Sequence, residues 1–163
     1  MQYHIQGPTN SSIRLGLFHN DVLVAVMLFG RYRKSMMEHD SNCSHELSRF
    51  CCLPGYQIIG AASKLLKYFI KHYNPVKIAS FSLNDISNGH LYGELGFHKI
   101  NEFCGSYWYI AHNSFVRYHR YKFRKSELVK MGYSEDLTES EIMKSLPYYK
   151  IFDSGTTNWE FEV

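Results

Sequence analysis

No apolar run in this chain reaches the length needed to cross a membrane, and the first residues do not read as a signal peptide. The expectation is therefore a soluble, cytoplasmic protein with no membrane partner. Its four cysteines, Cys43, Cys51, Cys52 and Cys104, show no CxxC spacing, so no structural zinc or other metal is expected. Adjacent Cys51 and Cys52 would point to opposite faces of a strand and read as reduced thiols. Neither sign of charge dominates. Eighteen Lys and Arg against fifteen Asp and Glu leave a net charge of +3, so a nucleic-acid case must rest on where the charge lies. Internal repeats and low-complexity stretches are absent. With 163 residues the chain can bury one real core but no second domain of comparable size.

Aromatic residues are what it has in plenty, 13 Tyr and 11 Phe among them. Residues 13–18 and 22–29 flank a short turn and read as a β-hairpin, the second strand apolar enough to be central in a sheet. Residues 30–43 read as a basic, then polar loop in which Arg31, Arg33 and Lys34 form a solvated surface. A strand over 46–53 ends at Pro54-Gly55. Ile58, Ala62, Leu65, Leu66, Phe69 and Tyr73 then recur at helical spacing, with Lys64, Lys67 and Lys71 opposite and Pro75 as the stop. The first turn of this helix carries Gly60, Ala61 and Ala62. Bare backbone N–H groups at the positive end of a helix dipole suit a phosphate or pyrophosphate, although close packing alone would also explain the small residues.

A strand over 76–83, a short helix over 90–95 and strands over 97–100 and 107–111 follow. The middle thus reads β-β-β-α-β-α-β-β, an α/β sheet around one crossover. From Phe115 the composition changes. Arg117, His119, Arg120, Lys122, Arg124, Lys125 and Lys130 stand against Glu127 alone, with Tyr118, Tyr121 and Phe123 interleaved. This pattern suits a groove that tracks a nucleic-acid backbone, and equally an edge strand charged to prevent aggregation. Thr138 and Glu141 form a capping box that opens a helix to Leu146. Residues 148–152 and 158–161, joined across Gly155, read as a closing hairpin. The expected organisation is a core over 1–114 and a basic C-terminal extension over 115–163 packed on the same domain.

The stretch Gln57-Ile58-Ile59-Gly60-Ala61-Ala62 between strand and helix resembles the acyl-CoA pyrophosphate loop (QxxGxA) of the GNAT acyltransferase superfamily. Leu91 to Phe97, LYGELGF, resembles the late helix and strand of that fold. The segments HIQG, LGLF-HND-VLVAVMLFG, ELSRF, GAASKLLKYFIKHYNP and SNGHLYGELGF, with the tail from RYHRYKFRKSELVK onward, resemble a GNAT-like phage domain. That domain is similar to Mom-type DNA-modification proteins and to the C-terminal domain of phage homing-type endonucleases. The resemblance implies a GNAT-like mixed sheet with one β-α-β crossover, lacking the usual N-terminal helices and ending in the basic segment, a short helix and a hairpin. It also places the protein in the cytoplasm of a phage-infected cell.

Acetyl-CoA or another acyl-CoA is the implied cofactor, held by Gln57, Ile58, Ile59, Gly60, Ala61, Ala62, Ser63 and Lys64. His4 matches the family's N-terminal His and suits a base or metal ligand. Arg49 matches an L-x-R motif and suits bidentate contact with a phosphate or carboxylate. Ser80 sits on the strand after the crossover, and Tyr92 in the late helix suits protonation of a leaving thiolate. The family's acid position holds Leu83 here, and the nearest carboxylate is Asp85 in the following turn. Arg117, Arg120, Lys122, Arg124 and Lys125 are the implied DNA contacts. The expected activity is acyl-CoA-dependent modification of a DNA nucleobase, an anti-restriction role. The alternative is a non-catalytic module on a degenerate GNAT scaffold that binds DNA or a host or phage protein.

Overall fold

The computed structural model describes residues 4, 7–32 and 43–163; the expected basic loop residues Arg33 and Lys34 lie outside them. Asn20 and Asp21 both adopt left-handed backbone (φ 47° and 62°), the geometry of a tight hairpin turn. They join β1 (Ile13–His19) to β2 (Val22–Arg31) in antiparallel pairing. On its other edge β2 pairs antiparallel with β3 (Cys43–Cys52). Helix α1 (Ala61–Tyr73) crosses over to β4 (Lys77–Leu83), which runs parallel to β3. Next come α2 (His90–Glu94) and β5 (His98–Phe103). The six-stranded sheet has the order β1-β2-β3-β4-β9-β5, where β9 is the last strand of the chain (Thr156–Glu162). This is a mixed α/β sheet with the β-α-β crossover, β3 to α1 to β4, expected above. Among the described residues no helix precedes β1.

The periodicity of α1 does what the sequence implies. Ala61, Ala62, Leu65, Leu66 and Phe69 are buried against Ala25, Met27, Phe29, Leu47 and Ile78, and the Phe69 ring stacks on Phe29 at 3.6 Å. Burying such aliphatic and aromatic side chains contributes roughly 1.5–3 kcal/mol each, which outweighs the weak intrinsic stability of a short helix. Tyr73 departs from the expected buried face and is 44% exposed. Asn74 ends the helix in left-handed backbone, its N–H bonded to the Ile70 carbonyl, one residue before Pro75.

The chain forms two compact units, residues 1–102 with 157–163, and residues 103–156. The boundary therefore falls before the expected 114/115, and the second unit is an insertion between β5 and β9 rather than a terminal extension. It contains β6 (Tyr107–Ala111), β7 (Arg117–His119), a 3-10 turn (Arg120–Phe123), α3 (Lys125–Lys130), α4 (Glu139–Lys144) and β8 (Tyr148–Phe152). A three-stranded antiparallel sheet, β7-β6-β8, packs its Tyr109 with Phe123, Leu128, Ile142 and Met143. The capping box is present, with the Thr138 side chain accepting from the Glu141 N–H and the Glu141 carboxylate accepting from the Thr138 N–H; α4 stops at Lys144, short of Leu146.

Two expectations are corrected here. The closing hairpin does not form, because β8 pairs with β6 while β9 joins the larger sheet between β4 and β5. Nor is the basic stretch one strand. Only Arg117–His119 is extended, and Phe123 turns inward to the unit's core. Among the described residues no helix is long and apolar enough to cross a membrane.

Candidate active site

The sheet of the first unit is split at the carboxyl end of the parallel pair formed by β3 and β4. β3 and β4 are in register from His45↔Ile78 through Glu46↔Ala79 to Leu47↔Ser80, and the ladder stops there, although β3 runs on to Cys52 and β4 to Leu83. Ser48 begins the divergence. Leu28 faces Arg49 while Phe29 faces Leu47, so Ser48 is an extra residue, a β-bulge that bends β3 away. Crevices beyond the carboxyl ends of parallel strands are where open α/β sheets take ligands.

Strand register assigns the side chains around this split to two faces. Leu47 and Ser80 are directly opposed and share the face covered by α1, whereas Glu46, opposed to Ala79, lies on the other face. After the bulge, Arg49 joins Glu46 on that other face through its pairing with Leu28. On the α1 face, the buried Ser80 Oγ stands 2.8 Å from the Leu47 carbonyl and 3.0 Å from the Tyr92 hydroxyl. Tyr92 O–H reaches the Phe81 carbonyl at 3.3 Å. Its ring stacks on Trp159, whose Nε1–H donates to Ser82 Oγ at 2.8 Å. Burial pushes the Tyr92 phenol up from its usual range, opposed by the bond to Ser80 and by the Arg49 charge. The phenol holds its proton.

On the other face, Arg49 donates from Nε to the Gly7 carbonyl at 3.3 Å and from Nη1 to the Ser48 carbonyl at 2.6 Å. These bonds fix the guanidinium against the turn in which the Gly7 N–H bonds back to the His4 carbonyl. Burial, followed by the Arg49 charge, pulls His4 below its ordinary value, so its imidazole is neutral near pH 7. Glu46, only 3% exposed, and Ser48 line a cleft of about 530 Å³ with Thr9, Asn10 and Arg31. Of the site residues expected from the sequence, His4 and Arg49 thus lie together on one face, Ser80 and Tyr92 together on the other, and Asp85 stands exposed in the turn after β4. Glu46, Ser82 and Trp159 were not singled out as site residues from the sequence. That Glu46 is the one carboxylate of β3 was the available signal for it.

The helix start has the features an anion needs. Gly60 caps α1 in left-handed backbone (φ 75°), no side chain caps it, and the first turn holds no acidic residue. The first intrahelical bond is Lys64 N–H to the Gly60 carbonyl, so the N–H groups of Ala62 and Ser63 have no carbonyl one turn back. Ala61 and Ala62 direct their side chains into the core, which leaves Gly60, Ser63 and Lys64 on the open side. A Cβ at Gly60 would meet nothing within 4 Å, so the space over the helix start is open. Beside it lies a cleft of about 510 Å³ lined by Leu17, Phe18, Tyr56, Gln57, Ile58 and Ile59. An acyl-CoA pyrophosphate fits this donor set. Burial raises the thiols of Cys51 and Cys52, which keeps them protonated and unreactive.

In the second unit the five expected nucleic-acid contacts divide. Arg124 pairs with Glu127, and Lys125 donates to the Glu135 and Leu137 carbonyls, so both serve internal structure. Arg117, Arg120 and Lys122 instead lie over aromatic rings. No group of three or more metal-ligating side chains occurs among the described residues.

No protein-family model and no curated protein matches this chain. Among solved structures it is similar to the crystal structure of a Bacillus subtilis acetyltransferase in complex with CoA. The two share 15% identity, the match covers 92% of this chain and 76% of that one, and the TM-score is 0.49. That identity transfers no residue's role; the site stands on its own geometry.

Proposed function

We propose that this chain is an acyl-CoA-dependent acyltransferase. The observation that carries the reading is the split between β3 and β4, with a bare helix start at Gly60 and with Tyr92 and Glu46 on its two faces. Ala62, Ser63 and Lys64 would hold the pyrophosphate through backbone N–H groups and the lysine charge. When bound, the thioester supplies an activated acyl carbon, whose C–S bond breaks as the acceptor's C–N bond forms. Glu46 offers a buried carboxylate to take the proton that the acceptor nitrogen loses. Tyr92 holds the proton that the departing sulfur needs, and Ser80 fixes the position of that hydroxyl. Arg49 supplies a fixed positive charge beside both.

The acceptor in this reading is an exocyclic amine of a nucleobase, which the cations and rings of the second unit support. A second reading is favoured by Leu83, half-buried at the end of β4 where the resemblance implies an acid; it is a module that binds without turnover. Calorimetry with CoA and acetyl-CoA tests the cofactor. Wild type should bind both, and Gly60→Asp, which sets a carboxylate against the pyrophosphate, should not. Absent wild-type binding removes the proposal. Mass spectrometry of nucleosides from DNA co-expressed with the protein then separates the readings, since a new modified base supports the enzyme and unaltered DNA supports the module.

A further inference from the structure

We infer that one end of the three-stranded sheet in residues 103–156 is a binding site for an unpaired nucleic-acid strand. β6 runs antiparallel to both neighbours, so its first residues lie beside the last residues of β7 and β8. Aromatic rings and cations from all three strands meet there. Lys150 Nζ sits over the Tyr107 ring at 3.8 Å and over Phe152 at 5.2 Å. Arg120 lies 5.5 Å from the centres of both Tyr107 and Tyr121. The series continues through His119, which meets Tyr121 at 4.6 Å and Trp108 at 4.8 Å, and ends at Arg117 over Trp108 at 5.8 Å.

The result is a ladder of rings flanked by three cations around the sheet's end. These residues are far apart in sequence, and only the fold assembles them. Phe152 and Tyr121 are 71% and 61% exposed. Arg117, Arg120 and Lys150 form no ion pair among the described residues, unlike Arg124 and Lys130, which share Glu127. Two carboxylates are nearby, but they are occupied at the polar edges of the rings. Glu139 accepts from the Tyr107 hydroxyl at 3.0 Å, and Asp153 accepts from Trp108 Nε1–H at 2.9 Å, Ser106 N–H at 2.8 Å and Gly155 N–H at 3.0 Å.

Chemistry selects the occupant. A guanidinium stacked on a ring keeps its N–H donors at its rim, free for phosphate oxygens. Exposed ring faces beside such donors suit planar bases joined by an anionic backbone. In a duplex the base faces are already stacked on one another, so the rings would gain nothing. An acidic peptide would meet the cations but leave the rings unused. A cationic ligand would be repelled.

The inference deepens the nucleobase acceptor proposed above and rests on that reading for its biological meaning, but its readout needs no CoA. Fluorescence anisotropy of the full chain with labelled dT15 should show binding. A duplex of equal length should bind about tenfold more weakly. Log affinity should fall with log salt with a slope of roughly −0.7 per phosphate contacted, hence about −2 for the three cations. Tyr121→Ala and Phe152→Ala, both at exposed positions, should each weaken dT15 binding about tenfold, whereas Lys130→Ala should stay within about twofold. Either ranking of dT15 and rU15 fits the site and identifies the sugar preferred. Equal or tighter duplex binding, unchanged affinity in both ring variants, or equal competition by polyglutamate would overturn it. Strand binding retained in Gly60→Asp separates failure of this inference from failure of the cofactor reading.

Discussion

At the scale of single residues, Tyr92 is the sharpest test of the chemistry. Tyr92→Phe keeps the ring stacked on Trp159 and removes only the hydroxyl shared with Ser80 and the Phe81 carbonyl. Ser80 retains the Leu47 carbonyl, so the loss in stability should be about 1 kcal/mol by denaturant melting. Acyl transfer should fall about a hundredfold while CoA affinity is unchanged; an unaltered rate would leave Tyr92 a packing residue. A second residue-scale expectation concerns pH. Burial holds the His4 and His45 imidazoles below 6.5 in the folded chain, so the unfolded chain binds more protons between those lowered values and 6.5. Stability therefore rises with pH through that window and is lost as pH falls. The melting temperature should drop between pH 7.5 and pH 5.5, and His45→Gln should flatten the slope. A melting temperature equal at both pH values would contradict the assignment.

At the scale of elements, Gly89 shows how tightly the short helix α2 is set. It caps that helix at φ 76°, and a Cβ there would fall within the Trp159 ring, with Cη2 only 2.7 Å away. Trp159 cannot yield cheaply, since it is stacked on Tyr92 and bonded to Ser82. Gly89→Ala should thus cost about 3 kcal/mol, combining overpacking with left-handed strain, and should disturb Tyr92 fluorescence coupling to Trp159. What local chemistry controls was readable in the sequence: the Asn20-Asp21 turn, the apolar stripe of α1, and the Thr138 cap. Partner choice among strands was not. Tyr148–Phe152 and Thr156–Glu162 are separated by three residues with a glycine, which has the spacing of a hairpin. Yet a Cβ at Gly155 would sit on the Phe103 and Cys104 backbone, so that glycine serves a close crossing of chain segments instead. The site was legible in the same uneven way. His4, Arg49, Ser80 and Tyr92 carried motif signals, whereas Glu46 acquires its place only from the register that sets it opposite Ala79, on the face it shares with Arg49.

At the scale of the whole molecule, the insertion of residues 103–156 within a sheet predicts opposite outcomes for two deletions. Gly105 and Gly155 bring the entry and exit of this unit together, for a Cβ on Gly105 would meet the Asp153 carbonyl and one on Gly155 the Gly105 nitrogen at 3.0 Å. Segments whose ends lie close can be removed with little distortion of their host. Replacing residues 106–153 by a two-residue turn should preserve a cooperative melt and CoA binding while abolishing affinity for dT15. Ending the chain after residue 155 removes a strand that lies inside the six-stranded order, between β4 and β5. It also removes Trp159, the packing partner of Tyr92, and the buried Glu160 that pairs with Lys77 at 3.0 Å. That truncation should cost both activities and the melt itself, since an internal strand leaves two unpaired edges and an open core behind it. If the truncated chain instead kept CoA affinity and a sharp transition, β9 would not be the structural closure of the first unit. If the excised chain kept full affinity for dT15, the ring-and-cation ladder would not be where the strand binds.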